Sequence, residues 1–248
     1  MNDFAEFRMP RSYPYTEHDG HFIVDTGEQR WLLDTGSPVS VGSARIKLGG
    51  ASSQPLQNFM GVTIDWLQEM VGTEFDALVG MDVLRHKSFM IDAELGQVHF
   101  GLRAAQVNGL KHTFYTTMGI PTVELSIAAE YCALFFDTGA KITYLAKNYL
   151  DTLDDPLREI QDFYPGLGQF TAQVYETHVN FGDDETFIEA ALLPEQLDAL
   201  LDVATVEGIL GNDSWNYGSV YCSGPEQKII FEAELTKSAK ASLQENLS

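Results

Sequence analysis

Two stretches of this chain end an apolar run on an acidic residue that could do chemistry. They are Leu32-Leu33-Asp34-Thr35-Gly36-Ser37 and Phe135-Phe136-Asp137-Thr138-Gly139-Ala140. Asp137 lies 103 positions after Asp34, so each half of the chain supplies one aspartate. Runs of large apolar side chains such as these read as buried strands. A carboxylate at the end of a buried strand is costly unless it is hydrogen-bonded or used. Two of them suggest a single site assembled from two halves. The chemistry open to a close pair of carboxylates is proton exchange, because both cannot ionise readily.

The elements that must deliver these residues repeat in the same order. Residues 21–24 and 30–33 read as a hairpin leading into Asp34, and residues 122–127 and 131–136 as its counterpart leading into Asp137. A third triplet, Asp25-Thr26-Gly27, is followed by Glu28-Gln29 rather than a small residue and reads as the turn of the first hairpin. Downstream, Leu78-Val79-Gly80 matches Ile209-Leu210-Gly211, 131 positions later. That offset continues through Ser88/Ser219 to Phe100/Phe231, while the offset of 103 places Phe22 on Leu125 and Val24 on Ile127. Between these blocks the halves differ: 46 positions separate Asp34 from Gly80, and 74 separate Asp137 from Gly211.

Other elements fill in between. A period-2 pattern over residues 44–48 ends at Gly49-Gly50. Thr63 is placed to cap a helix over residues 64–71, which Gly72 stops. Asp82 and Asp213 read as caps of short helical turns. Hairpins are expected over residues 89–100 and 220–231, strands over 174–181 and 185–192, and helices over 146–153 and 195–201, the last begun by Pro194. Residues 235–248 are polar and read as a frayed tail.

At 248 residues with 44% hydrophobic and 21% charged content, the chain has the composition of a soluble globular protein. Its 36 acidic against 15 basic residues leave a formal charge of −21. A field of that sign repels phosphate backbones and anionic membrane surfaces, which argues against nucleic-acid and membrane partners. No run approaches the length needed to span a bilayer, and residues 1–8 lack the pattern of a signal peptide, so a cytoplasmic location is expected. Cys132 and Cys222 form no spaced motif and read as buried thiols. The six histidines show no metal-ligand spacing, and no metal or cofactor is expected. Asp183-Asp184-Glu185 could hold a cation but reads more simply as a solvated hairpin tip. Trp31, Trp66 and Trp215 have apolar neighbours and are expected in the core.

The paired pattern resembles the aspartic proteases. The resemblance rests on Leu32-Leu33-Asp34-Thr35-Gly36-Ser37 with Leu78-Val79-Gly80, and on Phe135-Phe136-Asp137-Thr138-Gly139-Ala140 with Ile209-Leu210-Gly211. The lobe sizes and the Gly-Met-Asp-Val-Leu wording at residues 80–84 look like two retroviral-type proteases fused into one chain. This implies an all-β fold with a few short helices: retropepsin-like lobes over 1–103 and 104–235, a cleft between them and a polar tail over 236–248.

It also implies an aspartic endopeptidase with Asp34 and Asp137 as catalytic residues around one water. Thr35, Gly36, Ser37, Thr138, Gly139 and Ala140 would form the supporting loops, the threonine hydroxyls bonding across to the opposite lobe. The sharing of one proton by such a pair is an established property of the family. The expected partner is a peptide or protein substrate, and the chain is expected to act as a monomer because it carries both aspartates.

Two asymmetries matter. Ser37 could donate a hydrogen bond to Asp34, and Ala140 could not do so for Asp137, so Asp34 is the expected anion and the pH optimum is less acidic than with two hydroxyls. The family's flap lies between the Asp-Thr-Gly and the downstream glycine. Here the first half is 28 positions shorter. Gly49-Gly50 would be at most a stub, and residues 166–174 could supply the only lid. The rival expectation is a non-catalytic peptide- or protein-binding protein that keeps the same fold.

Overall fold

The computed structural model describes residues 10–48, 51–127, 130–150, 155–165, 167–181, 184–215 and 218–245. It is mostly β, and among the described residues its helices are short, the longest being Glu195–Ala204. No helix among the described residues is long and apolar enough to cross a membrane.

Two large sheets account for most strands. In the ten-stranded sheet, Arg11–His18 leads through His21–Asp25 and Arg30–Leu33 to Ala77–Val79 and Val41–Gly42. On its other side follow Gln97–Phe100, Ser88–Asp92, Val220–Ser223, Lys228–Leu235 and Val107–Thr113. The eight-stranded sheet runs from Tyr115–Thr117 through Ile120–Ile127, Glu130–Phe136, Gly208–Leu210 and Thr143–Leu145 to Asp184–Leu192, Gly168–Phe181 and Arg158–Tyr164.

One local arrangement occurs twice. Arg30–Leu33 pairs parallel with Ala77–Val79, which pairs antiparallel with Val41–Gly42. Glu130–Phe136, Gly208–Leu210 and Thr143–Leu145 do the same. These partners keep the offsets of 103 and 131: Trp31 faces Ala77, and Leu134 faces Gly208.

The hairpins that precede them do not. Ile23 pairs with Leu32, and Thr122 with Phe135, so the first strand is offset by 99 rather than 103. The arms of the second hairpin run further before they turn, which moves Phe22 off Leu125. The same offset of 99 relates the turns Asp19-Gly20 (φ 47° and 79°) and Met118-Gly119 (φ 54° and 85°). Two successive positive φ values match the twist of a tight hairpin, and the second position in each is glycine.

The halves also meet strand to strand. Val220 pairs with Ile91, Tyr221 with Met90 and Cys222 with Phe89. Met90 and Tyr221 are 131 apart, so equivalent residues face each other and the pairing is symmetric about them. The core follows suit: one buried cluster contains Leu33, Val79 and Phe89 together with Phe136, Leu210 and Phe231. Trp31 and Trp215 are buried, while Trp66 is half-buried. Both cysteines are free and buried, and burial pushes the Cys222 thiol up to about 12.

The capped helix forms as its sequence indicates. Thr63 accepts from the N–H of Trp66 at 3.3 Å, and Gly72 ends Ile64–Val71 at φ 78°. Lys147–Leu150 is helical, and residues 151–154 lie outside the described residues. The C-terminal segment departs from expectation. Lys237–Glu245 is a helix, and its Ala239 and Leu243 are buried against Leu102, Val107 and Tyr221. Two apolar residues four apart on one face are enough to dock a helix whose other residues are mostly polar.

Candidate functional site

Each aspartate leaves its strand in the same way. The Asp34 N–H donates to the Val79 carbonyl at 3.1 Å, and the Asp137 N–H to the Leu210 carbonyl at 3.0 Å. The downstream glycines make room for the returning chain. A Cβ on Gly80 would lie 2.5 Å from the Val39 oxygen, and one on Gly211 would lie 2.2 Å from the Ile142 oxygen. Their N–H groups donate to Ser40 Oγ and Thr143 Oγ1 respectively.

Those hydroxyls explain Asp82 and Asp213 better than helix capping does. Asp82 accepts from Ser40 Oγ at 2.6 Å, and Asp213 accepts from Thr143 Oγ1 at 2.9 Å and its N–H at 2.6 Å. The cap of Met81–Leu84 is Gly80, with no side-chain hydrogen bond. Burial pushes Asp213 up to about 7.

The two loops interlock. Thr35 donates its N–H to Thr138 Oγ1 at 3.0 Å, and Thr138 donates its N–H to Thr35 Oγ1 at 2.9 Å. Each hydroxyl then donates across to the other half, Thr35 to the Phe136 carbonyl (2.7 Å) and Thr138 to that of Leu33 (3.0 Å). Both threonines are fully buried, so these bonds are shielded from water.

The glycines lie where each loop crosses the other's aspartate. A Cβ on Gly36 would stand 2.1 Å from Asp137 Oδ2, and one on Gly139 would stand 2.5 Å from Asp34 Cγ. Only a residue without a side chain allows this approach.

Asp34 and Asp137 are thereby brought into side-chain hydrogen-bonding contact. Protein atoms crowd both carboxyls, although each aspartate keeps some exposed surface. Burial, and then the charge of Asp137, raise Asp34 well above the usual carboxylate range. Burial raises Asp137 as well, but backbone N–H groups and the hydrogen bond from Asp34 offset part of that. Gly139 donates to Asp137 Oδ1 at 2.7 Å and Gly36 at 3.2 Å, whereas Asp34 Oδ1 takes the Ser37 N–H at 2.8 Å. Both carboxyls are therefore raised and titrate as one pair, with main-chain N–H groups on each.

The contact expected of the Ser37 hydroxyl is not made. Ser37 Oγ donates to the Val39 carbonyl at 2.7 Å, within its own turn, and gives Asp34 only its backbone N–H. Ala140 is no disadvantage to Asp137, because main-chain donors do the work.

The sequence pattern did not single out several neighbours. Asn212 Nδ2 donates to the Thr138 carbonyl at 2.9 Å and the Gly20 carbonyl at 2.7 Å, tying the second loop to the first half. The hairpin of Arg158–Tyr164 and Gly168–Phe181 ends its first strand at Tyr164. Burial, and then the charges of Asp137 and Asp34, push that phenol up to about 12, so Tyr164 stands within electrostatic reach of the carboxyl pair. Phe163, one residue earlier, packs edge-on against Trp66 at 5.6 Å between ring centres. The only sequence signal for this hairpin is the extra length of the second half.

The remaining candidates fall elsewhere. Asp25-Thr26-Gly27 is a turn, with Asp25 Oδ1 accepting the Gly27 N–H at 2.8 Å. Gly49-Gly50 lies outside the described residues, between the paired strands Ile46–Leu48 and Ala51–Ser53. So does Asp183, while Asp184 and Glu185 pair with Phe181 and Asn180 in a hairpin.

Ser12, His99 and Asp92 form a polar chain, with Ser12 Oγ 2.7 Å from His99 Nδ1 and His99 Nε2 3.3 Å from Asp92 Oδ2. Ser12 and His99 are cross-strand partners within a sheet, so this chain satisfies buried polar groups. Among the described residues, no group of three or more His, Cys, Asp or Glu side chains is placed to hold a metal ion. No family model matches the chain, and no curated protein matches it.

Proposed function

We propose that this chain is an aspartic endopeptidase in which Asp34 and Asp137 activate one water between them. The observation that carries this reading is the interlock of the two Asp-Thr-Gly loops, with the carboxyls in mutual contact and the hydroxyls of Thr35 and Thr138 bonded across. On this reading, residues 1–103 and 104–235 are two retropepsin-like lobes with a cleft between them. The hairpin ending at Tyr164 is the flap, supplied by the second lobe. Both aspartates lie in one chain, so a monomer is complete. An extended peptide lies beneath the hairpin and is held by main-chain hydrogen bonds as an added strand.

The anionic member of the pair takes a proton from the water as the water attacks the peptide carbonyl carbon. Its protonated partner gives its proton to the carbonyl oxygen, and a tetrahedral diol forms. On collapse, the partner takes a proton back from the diol, and the proton that came from the water passes to the leaving nitrogen. Acid–base assistance of this kind contributes about 10²–10⁴-fold. Enclosure by the hairpin excludes bulk water and fixes the substrate.

The test is cleavage of a denatured protein mixture by the chain and by its Asp34→Asn and Asp137→Asn variants. Peptide products from the parent alone are the expected result. Equal background in all three would overturn the reading and favour a peptide-binding protein.

A further inference from the structure

The hairpin is fastened by residues that the proposed chemistry does not use. Lys141 directly follows the second loop, and its ammonium donates to the Gln161 carbonyl at 2.6 Å and to Asp19 at 3.0 Å. It also lies 3.8 Å from Asp162. Asp162 is buried; it accepts from the Tyr144 hydroxyl on one oxygen and from the Phe163 N–H (2.8 Å) on the other. Gln161, Asp162 and Phe163 immediately precede Tyr164, so the attachment that holds them also sets where Tyr164 stands.

Beneath Phe163 lies His21, 5.8 Å away between ring centres. It is only 3% exposed, and neither ring nitrogen has a hydrogen-bond partner. The neighbouring turn is pressed against Lys141 itself, since a Cβ on Gly20 would lie 2.4 Å from Lys141 Cβ. The charged groups that face the imidazole are Asp162, Lys141 and Asp19, and the Gly139 carbonyl is close by. Both carboxylates are already engaged by Lys141.

We propose that Lys141 and His21 form an acid-released latch: Lys141 straps the hairpin over the carboxyl pair, and a proton on His21 frees it. A cation in that site is cut off from water beside an ammonium, and its compensating carboxylates are shared with Lys141. Burial already holds His21 below the ordinary 6.5. The neutral ring therefore favours closure above that pH, and closure weakens as pH falls through the lowered value. Swinging the hairpin out lets the protonated ring reach water. Lys141 is a positioning residue in this scheme.

That the hairpin is a flap rests on the endopeptidase reading; that it opens in acid does not. The experiment is hydrogen–deuterium exchange of residues 158–164 in the full chain, corrected for intrinsic rates, at about pH 7.5 and about pH 5. Trp66 emission is followed in parallel, because Phe163 leaves its ring on opening. In the parent, protection should fall on acidification by up to about tenfold per pH unit, the limit for one coupled proton. His21→Phe should abolish that dependence while circular dichroism stays native, and His21→Leu replaces it should the larger ring misfold. Lys141→Met should leave the segment poorly protected at both pH values, and Lys141→Arg should restore protection. Exchange that ignores pH in the parent, or follows it equally in both His21 variants, overturns the latch. None of these readouts needs turnover, so a chain without peptidase activity could still show the latch, and an active one could lack it.

Discussion

Thr35 and Thr138 each receive the other's backbone N–H on a hydroxyl, and each passes its own hydroxyl proton to a carbonyl of the opposite half. Four hydrogen bonds thus close between segments about a hundred residues apart, and both threonines are buried. Replacing either threonine by valine keeps the shape but leaves a buried N–H and a buried carbonyl without partners. Each substitution should cost about 2–4 kcal/mol, measured by urea unfolding. The double variant should cost about the sum of the two, because each hydroxyl carries a different pair of bonds.

Gly36 is the position least able to carry a side chain. A methyl group there would overlap the Asp137 carboxyl, and Gly36→Ala should push the two aspartates apart. Peptidase activity should fall by about 10²-fold or more, as for other displacements of about an ångström at a reacting centre. Circular dichroism should change little, since the strands on either side are untouched.

The two carboxyls titrate as a pair, and both are raised from the ordinary 3.8. The rate should rise as the pair loses its first proton and fall as it loses the second, so both limbs of a kcat/KM profile should lie above that value. Maximal activity near pH 2 would contradict this arrangement.

Asp213 offers a stability test away from the reacting centre. Its pKa is pushed up to about 7 in the fold, against an ordinary 3.8. A raised carboxylate means that the folded chain holds a proton which the unfolded chain releases. The resulting stabilisation is complete below 3.8 and is lost as pH climbs towards 7. Asp213→Asn keeps an oxygen for the two Thr143 donors and has no charge to bury. The variant should match the parent at about pH 3 and exceed it by about 2–4 kcal/mol above pH 7 in denaturant titrations.

Much of the outline was legible because it depends on neighbours in sequence. Thr63 and Gly72 cap a helix through bonds to residues three or four positions away. The Asp-Thr-Gly loops and their downstream glycines declare themselves by recurring in order. The register of the opening hairpins was not legible, because a hairpin can lengthen its arms without altering either strand's pattern. The direction of the Ser37 hydroxyl was not legible either, since Val39 and Asp34 are both within its reach. The C-terminal helix was missed because only Ala239 and Leu243 mark its apolar face.

By its sequence alone, this chain determined that two acidic residues would end two equivalent buried strands and be followed by residues small enough for close approach. Local composition and repetition decide those features. Only the tertiary structure decided that Asn212 ties the second loop to the first half, and that Lys141 bonds the Gln161 carbonyl. Those outcomes depend on hydrogen bonds and burial between residues far apart in the chain, and no spacing rule encodes them.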